Sequence, residues 1–172
     1  MKKLTTLALC LVLALSLAAC GSPKESETQP TEAPVQIANP YVTCEDAASM
    51  QELAGLEVSL PESLPCWVNE TIYRTIPGEL VEVIYAGDTN EIRVRIANGS
   101  RDISGVYGSQ HSQETDIAMG SYTVHCTGDA AEDGSLTLFV CTWTTQDGRT
   151  YSVTSPEGVP QGVMETIIPE IV

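Results

Sequence analysis

The feature that most constrains this chain is an alternation of apolar and polar residues with period two, running from about residue 67 to about 155. Val81, Val83 and Tyr85 alternate with Glu82 and Ile84, and Ile92, Val94 and Ile96 with Glu91, Arg93 and Arg95. Successive side chains of a strand point to opposite faces, so this pattern specifies antiparallel strands with one buried face. The connection Gly87-Asp88-Thr89-Asn90 predicts a hairpin with Val83 opposite Val94 and Tyr85 opposite Ile92. The same register sets Glu82 opposite Arg95. The expectation is a solvent-face ion pair across the strands, with an anion-binding ladder of Arg93 and Arg95 as the sharper alternative.

A second hairpin follows. Tyr122, Val124 and Cys126 share one face, as do Phe139, Cys141 and Trp143. A two-residue turn at Asp133-Gly134 would pair Cys126 with Cys141 and Val124 with Trp143. Directly opposed residues lie within disulfide reach, so a Cys126–Cys141 bridge is expected. By that count the pair is the wider, hydrogen-bonded kind. At Gln146-Asp147-Gly148, a three-residue loop with Gly148 as a bulge pairs Trp143 with Tyr151 and keeps one face apolar. Of the cysteines left beyond Cys20, Cys44 would then join Cys66 by elimination. A zinc site is the weaker rival, since the spacings contain no C-x-x-C pair; free buried thiols are the third alternative.

Two helices flank the strands. Thr43 reads as an N-cap before Glu45-Asp46, with Ala47, Met50, Leu53 and Ala54 on one face and Gly55 as the stop. Val163, Ile167, Ile168 and Ile171 form a helical stripe after Pro160, which Pro169 shortens. The fold class is therefore α+β: an antiparallel β-meander sheet of five to seven strands, with an N-terminal and a C-terminal helix packed on one face. Residues 98–111, rich in Gly, Ser and Asn, form the longest stretch without a period; a loop of that length is functional or merely flexible.

The N-terminus carries an address. Lys2 and Lys3 precede an apolar run from Leu4 to Leu17, too short for a comfortable membrane span. Leu17-Ala18-Ala19-Cys20-Gly21 has the form of a lipobox, so residues 1–19 read as a lipoprotein signal peptide and Cys20 as the lipidated first mature residue. Residues 20–40 hold four prolines and little that is apolar, which makes a disordered tether reaching roughly 60 Å at ~3.1 Å per residue. Residues 41–172 suit a single α+β domain. The net charge of −15 becomes −17 once Lys2 and Lys3 are removed with the signal. Such a surface repels nucleic acid and anionic headgroups, so membrane contact falls to the lipid on Cys20, at the extracytoplasmic face of the cell membrane.

Several segments resemble the DUF4367-type domains of exported and membrane-anchored proteins of Gram-positive bacteria. They are the helix with Ala47-Ala48 and Leu53-Ala54-Gly55, then Leu56-Glu57-Val58, Pro61, Leu64-Pro65, Val81 to Tyr85 and Ile92 to Arg95. The segment Asp102 to Tyr107 is similar to one in small clostridial lipoproteins. The resemblance spans most of 43–172. It implies an extracytoplasmic α+β domain and carries over no activity and no catalytic residue; the four domain cysteines are not part of its pattern.

No catalytic, metal or cofactor signature stands out. His111 and His125 have no partner at ligand spacing and read as solvated surface residues, and no serine lies in a G-x-S-x-G context. Acidic turns at Asp129, Glu132 and Asp133, and at Asp88 and Glu91, match no EF-hand loop. Asn69-Glu70-Thr71 and Asn98-Gly99-Ser100 are formal glycosylation sequons without expected meaning in a bacterial lipoprotein. Trp67, Trp143, Phe139 and Tyr85 read as core. The expected role, ranked first, is a non-catalytic binding module for a protein, peptide or cell-wall ligand. Its candidate surface is Arg93, Arg95, Arg101, Asp102 and His111. Second comes an accessory or sensory subunit of a membrane complex, anti-sigma-like or transport-associated. An extracellular enzyme ranks third, and a pocket holding His111 or His125 against a carboxylate would favour it.

Overall fold

A computed structural model of the chain describes residues 39–172 other than 65, 67, 109, 110 and 172. The signal segment, Cys20, the tether to residue 38 and Trp67 lie outside the described residues. Residues from Asn39 onward form one compact unit. Its elements are β1 (Val42–Cys44), α1 (Ala47–Ala54), β2 (Glu70–Ile76), β3 (Leu80–Ala86), β4 (Glu91–Asn98), β5 (Gln113–Met119), β6 (Tyr122–Ala130), β7 (Leu136–Thr144), β8 (Arg149–Pro160) and α2 (Gln161–Ile167), which runs into a 3-10 turn at Ile168–Glu170.

All the strand pairings are antiparallel, in one eight-stranded sheet of order β1-β2-β3-β4-β8-β7-β6-β5. The α+β class therefore holds, with eight strands in place of five to seven. Nor is the sheet a plain meander. After β4 the chain passes to the far edge, forms β5, and returns through β6 and β7 so that β8 closes against β4. The non-periodic segment after residue 98 is the connection that makes this passage, which is why it is long.

Two of the three expected turns have the expected register. Val83 pairs with Val94, Tyr85 with Ile92 and Glu82 with Arg95. Trp143 pairs with Tyr151 and Cys141 with Val153, around a three-residue loop with Gly148 at φ 82°. The middle turn differs. Ala131 donates to the Ser135 carbonyl at 2.8 Å and Gly134 donates back to Ala131 at 2.9 Å, so the loop has three residues, not two. A bulge between Thr127 and Gly128 cancels the extra residue and restores Cys126 opposite Cys141. These two are bridged. Their Cα atoms lie 4.1 Å apart, the narrow spacing of a non-hydrogen-bonded pair and not the wider one expected.

Cys44 and Cys66 are free, which corrects the expected second bridge. Cys44 turns its thiol toward the Val42 carbonyl of its own short strand, 3.8 Å away. Cys66 is held in a turn by backbone bonds to Leu64 and from Val68. Burial pushes both thiols above their ordinary range, Cys44 further through Asp46, so neither is an activated thiolate.

Thr43 belongs to β1, opposite Arg74, and does not cap the helix. Asp46 does: its carboxylate accepts from the Ser49 hydroxyl at 2.6 Å and the Ser49 amide at 2.8 Å, which in that order hold its pKa below the usual range. Met50 and Ala54 are buried, whereas Leu53 is exposed. Met50, Ala54, Met164, Ile167, Ile168 and Ile171 share one buried cluster with Val81, Val83, Tyr85, Ile92, Val94, Ile96, Trp143 and Val153. The alternation thus reads correctly for this apolar face.

Candidate ligand site on the second face of the sheet

The opposite face carries one polar row. The registers line up Thr43, Arg74, Glu82, Arg95, Ser152, Thr142, His125 and Asp116, one from each strand in spatial order. Half-buried sheets normally give such a face to water. Here it is partly covered. Residues 99–108 run across it as a strap, and Ile103 packs with Leu80, Ala97, Tyr41 and Ile76 in a second small apolar cluster.

Glu82 is the centre of this region and is fully buried, so the expected solvent-face ion pair is corrected. Its Oε2 accepts from Arg95 Nε at 2.6 Å, and its Oε1 lies 2.9 Å from Arg74 Nε, out of hydrogen-bond alignment. Arg93 Nε is 3.8 Å from Oε2. Tyr41 lies beneath the Arg74 guanidinium, 4.4 Å from ring centroid to Cζ, with Arg95 at 5.9 Å. Burial, and then the Glu82 carboxylate, push the Tyr41 hydroxyl above its ordinary range. A buried carboxylate persists only when paired in this way.

Arg95 also pins the strap. Its Nη1 donates to the Ile103 carbonyl at 3.1 Å and to that of Ser104. The next residue, Gly105, has φ 67°, and a Cβ there would overlap Nη1. Only glycine lets the backbone come that close to the guanidinium. Asp102 Oδ1 receives the Ser104 amide at 2.8 Å and the Ser104 hydroxyl receives the Val106 amide at 3.2 Å, so the strap bonds to itself on both sides of the pin.

The strap leaves a cavity on each flank. The first, of about 430 Å³, is lined by strap residues Ser100 to Ile103 and by Thr123, His125, Thr142 and Thr150 among others. The second, of about 280 Å³, lies among Glu91, Arg93, Arg95, Ser104 to Val106, His111, Phe139, Val140 and Thr154 to Pro156. The five candidate surface residues therefore divide: Arg93, Arg95 and His111 line the second cavity, Arg101 and Asp102 the first. Arg101 points outward to Glu79 at 2.9 Å.

Both histidines meet a carboxylate, contrary to expectation. His125 Nδ1 lies 2.7 Å from Asp116 Oδ1, both well exposed. His111 is more enclosed: its Nδ1 is 2.9 Å from Asp129 Oδ2, and its ring stacks on Phe139 at 4.1 Å between centroids. The His111 side chain, then the Ser112 amide, hold the Asp129 pKa below the usual range. Phe139 is accordingly a wall of the cavity and not core, because the bulge turns it away from the face that Leu138 and Cys141 bury. The signal for this was Gly128, a glycine inside a strand pattern, where a Cβ would overlap the Thr137 carbonyl. Trp143 and Tyr85 are core as expected. Nothing in the sequence marked Thr154 or Ser155 as neighbours of Arg93, or Asp129 as the partner of His111. Among the described residues no cluster suited to a metal ion is present.

No family model, no curated protein and no solved structure matches the chain.

Proposed function

We propose that the chain is a membrane-anchored extracytoplasmic lipoprotein, held by lipid on Cys20, whose domain is a non-catalytic binding module. The observation that carries the binding reading is the strap pinned over the polar face with a cavity on each flank. We infer that both helices cover the opposite face, supported by the buried cluster they share. That leaves the strapped face for a ligand, since pockets with a few convergent polar groups are the usual form of a binding site. Tyr107 at the strap is 93% exposed, a large aromatic left in solvent. The lipobox, and the resemblance to DUF4367-type domains, support the address.

A photo-crosslinking residue at Tyr107 in intact cells should give a discrete adduct, while one at Glu52 of α1 gives none. Equal labelling from both positions, or from neither, would contradict the reading. The His111–Asp129 pair favours a second reading, an extracytoplasmic enzyme with His111 as general base. Of the hydroxyls in its cavity, Ser155 donates to Asn90 Oδ1 at 2.9 Å and Ser104 accepts from the Val106 amide. Esterase turnover lost on His111→Gln would support this second reading over the first.

A further inference from the structure

The second cavity holds an excess of positive charge in a chain whose net charge is −15. Arg74, Arg93 and Arg95 surround Glu82, and Glu91 pairs with Arg93 Nη2. Of these, Arg93, Arg95 and Glu91 line the cavity, two guanidiniums against one carboxylate, with the His111–Asp129 pair beside them. Arg95 gives Nε to Glu82 and Nη1 to the strap carbonyls, and of the two arginines with an unpartnered Nε, Arg74 and Arg93, it is Arg93 that lines the cavity. Its Nε is buried and has no hydrogen-bond partner. That nitrogen faces Glu82 Oε2 at 3.8 Å, while the Arg93 side chain keeps 30% of its surface exposed and lines the cavity, so the rest of its guanidinium can meet a bound acceptor. Around it the wall is apolar and partly flat, made of Phe139, Val140, Val106 and Pro156. Glu82 and Glu91 would repel a dianion such as phosphate. A volume of about 280 Å³ suits a body of roughly amino-acid size.

We propose that this cavity binds a small monocarboxylate with a flat apolar body, seated with its carboxylate on Arg93 and its body against Phe139 and Val140. Arg93 offers a planar fork that matches a carboxylate, and Glu91 is the internal carboxylate that such a ligand displaces. The proposal rests on the strapped face being the binding surface and adds the ligand class.

The test is a titration of the full chain, labelled with ¹⁵N in mild detergent, with benzoate, benzamide and inorganic phosphate. Saturable shifts of the Arg93 Nε–Hε resonance are expected with benzoate alone. Arg93→Gln should weaken benzoate at least about tenfold, the loss expected for one charged hydrogen bond. Arg149→Gln, at the far end of β8 from the cavity, should leave it unchanged. Glu91→Gln should tighten benzoate, a gain that a merely structural role for the pair would not produce and one that does not depend on Arg93→Gln folding. No saturation with benzoate, equal binding of benzamide, tighter binding of phosphate, or unchanged affinity in Glu91→Gln would each overturn the proposal. An adduct at Tyr107 without benzoate binding would overturn the ligand class alone. Benzoate binding without an adduct would leave the cavity chemistry standing and count against the binding-module role.

Discussion

Glu82→Gln should be among the most damaging single substitutions on the polar face. Glu82 has no exposed side-chain surface and Arg95 only 9%, so the substitution leaves a guanidinium buried without its counter-charge. Breaking a buried pair in this way costs about 3–5 kcal/mol. Arg74 and Arg93 keep a quarter to a third of their side-chain surface in water, so their losses together add at most about 1 kcal/mol. Glutamine preserves the shape and one acceptor, which places the expected loss near the lower bound, about 3 kcal/mol. Replacing both partners, Glu82→Met with Arg95→Met, should recover part of it within the sheet, because the charges then left without Glu82 are those of Arg74 and Arg93, which keep contact with water. The assay is urea unfolding followed by tryptophan fluorescence, with stability compared at unchanged slope. A loss below about 1 kcal/mol for Glu82→Gln would mean that the cluster behaves as a surface ion pair, and would refute the buried hub.

Three further outcomes are expected. Alkylation without reduction followed by peptide mapping should label Cys44 and Cys66 and recover Cys126 linked to Cys141; a peptide linking Cys44 to Cys66 would contradict the structure. Gly105→Ala should destabilise the fold by about 1–2 kcal/mol through its positive φ alone, with an added effect on the Arg95 contact, measured by the same unfolding assay. The Asp129 pKa is lowered in the folded chain, so its contribution is present above the ordinary value of 3.8 and lost as pH falls through the lower folded value. Asp129→Asn should therefore flatten stability against pH in that acid window, and an unchanged acid limb would show that the His111 contact contributes nothing.

The apolar face was legible in the sequence because period-two alternation and turn chemistry act locally and agree with each other. Val83 opposite Val94, and Trp143 opposite Tyr151, followed from counting residues around a turn. Cys126 opposite Cys141 was reached through a turn of the wrong length, and only the bulge beside Gly128 made the result correct. Two errors in register that cancel leave no trace in an alternation pattern. The polar face was not legible for a different reason. An alternating strand tells which residues avoid the apolar core, and Glu82, Arg93 and Arg95 do avoid it. Whether water or another segment lies above them depends on where a long connection crosses, and Gly, Ser and Asn carry no periodic signal of that path. The same limit hid Asp129 from His111, since their meeting depends on where the strap rejoins the sheet.

The claim on which the site rests is that the strap lies on the sheet, pinned by Arg95. The most direct measurement is the set of nuclear Overhauser contacts from the Arg95 side chain in the labelled chain. Strong contacts to the Gly105 α-protons, with slowed exchange of the Ser104 amide, are the expected result. An Arg95 side chain with no contact to residues 103–105, beside strap amides exchanging as in an unfolded peptide, would contradict it.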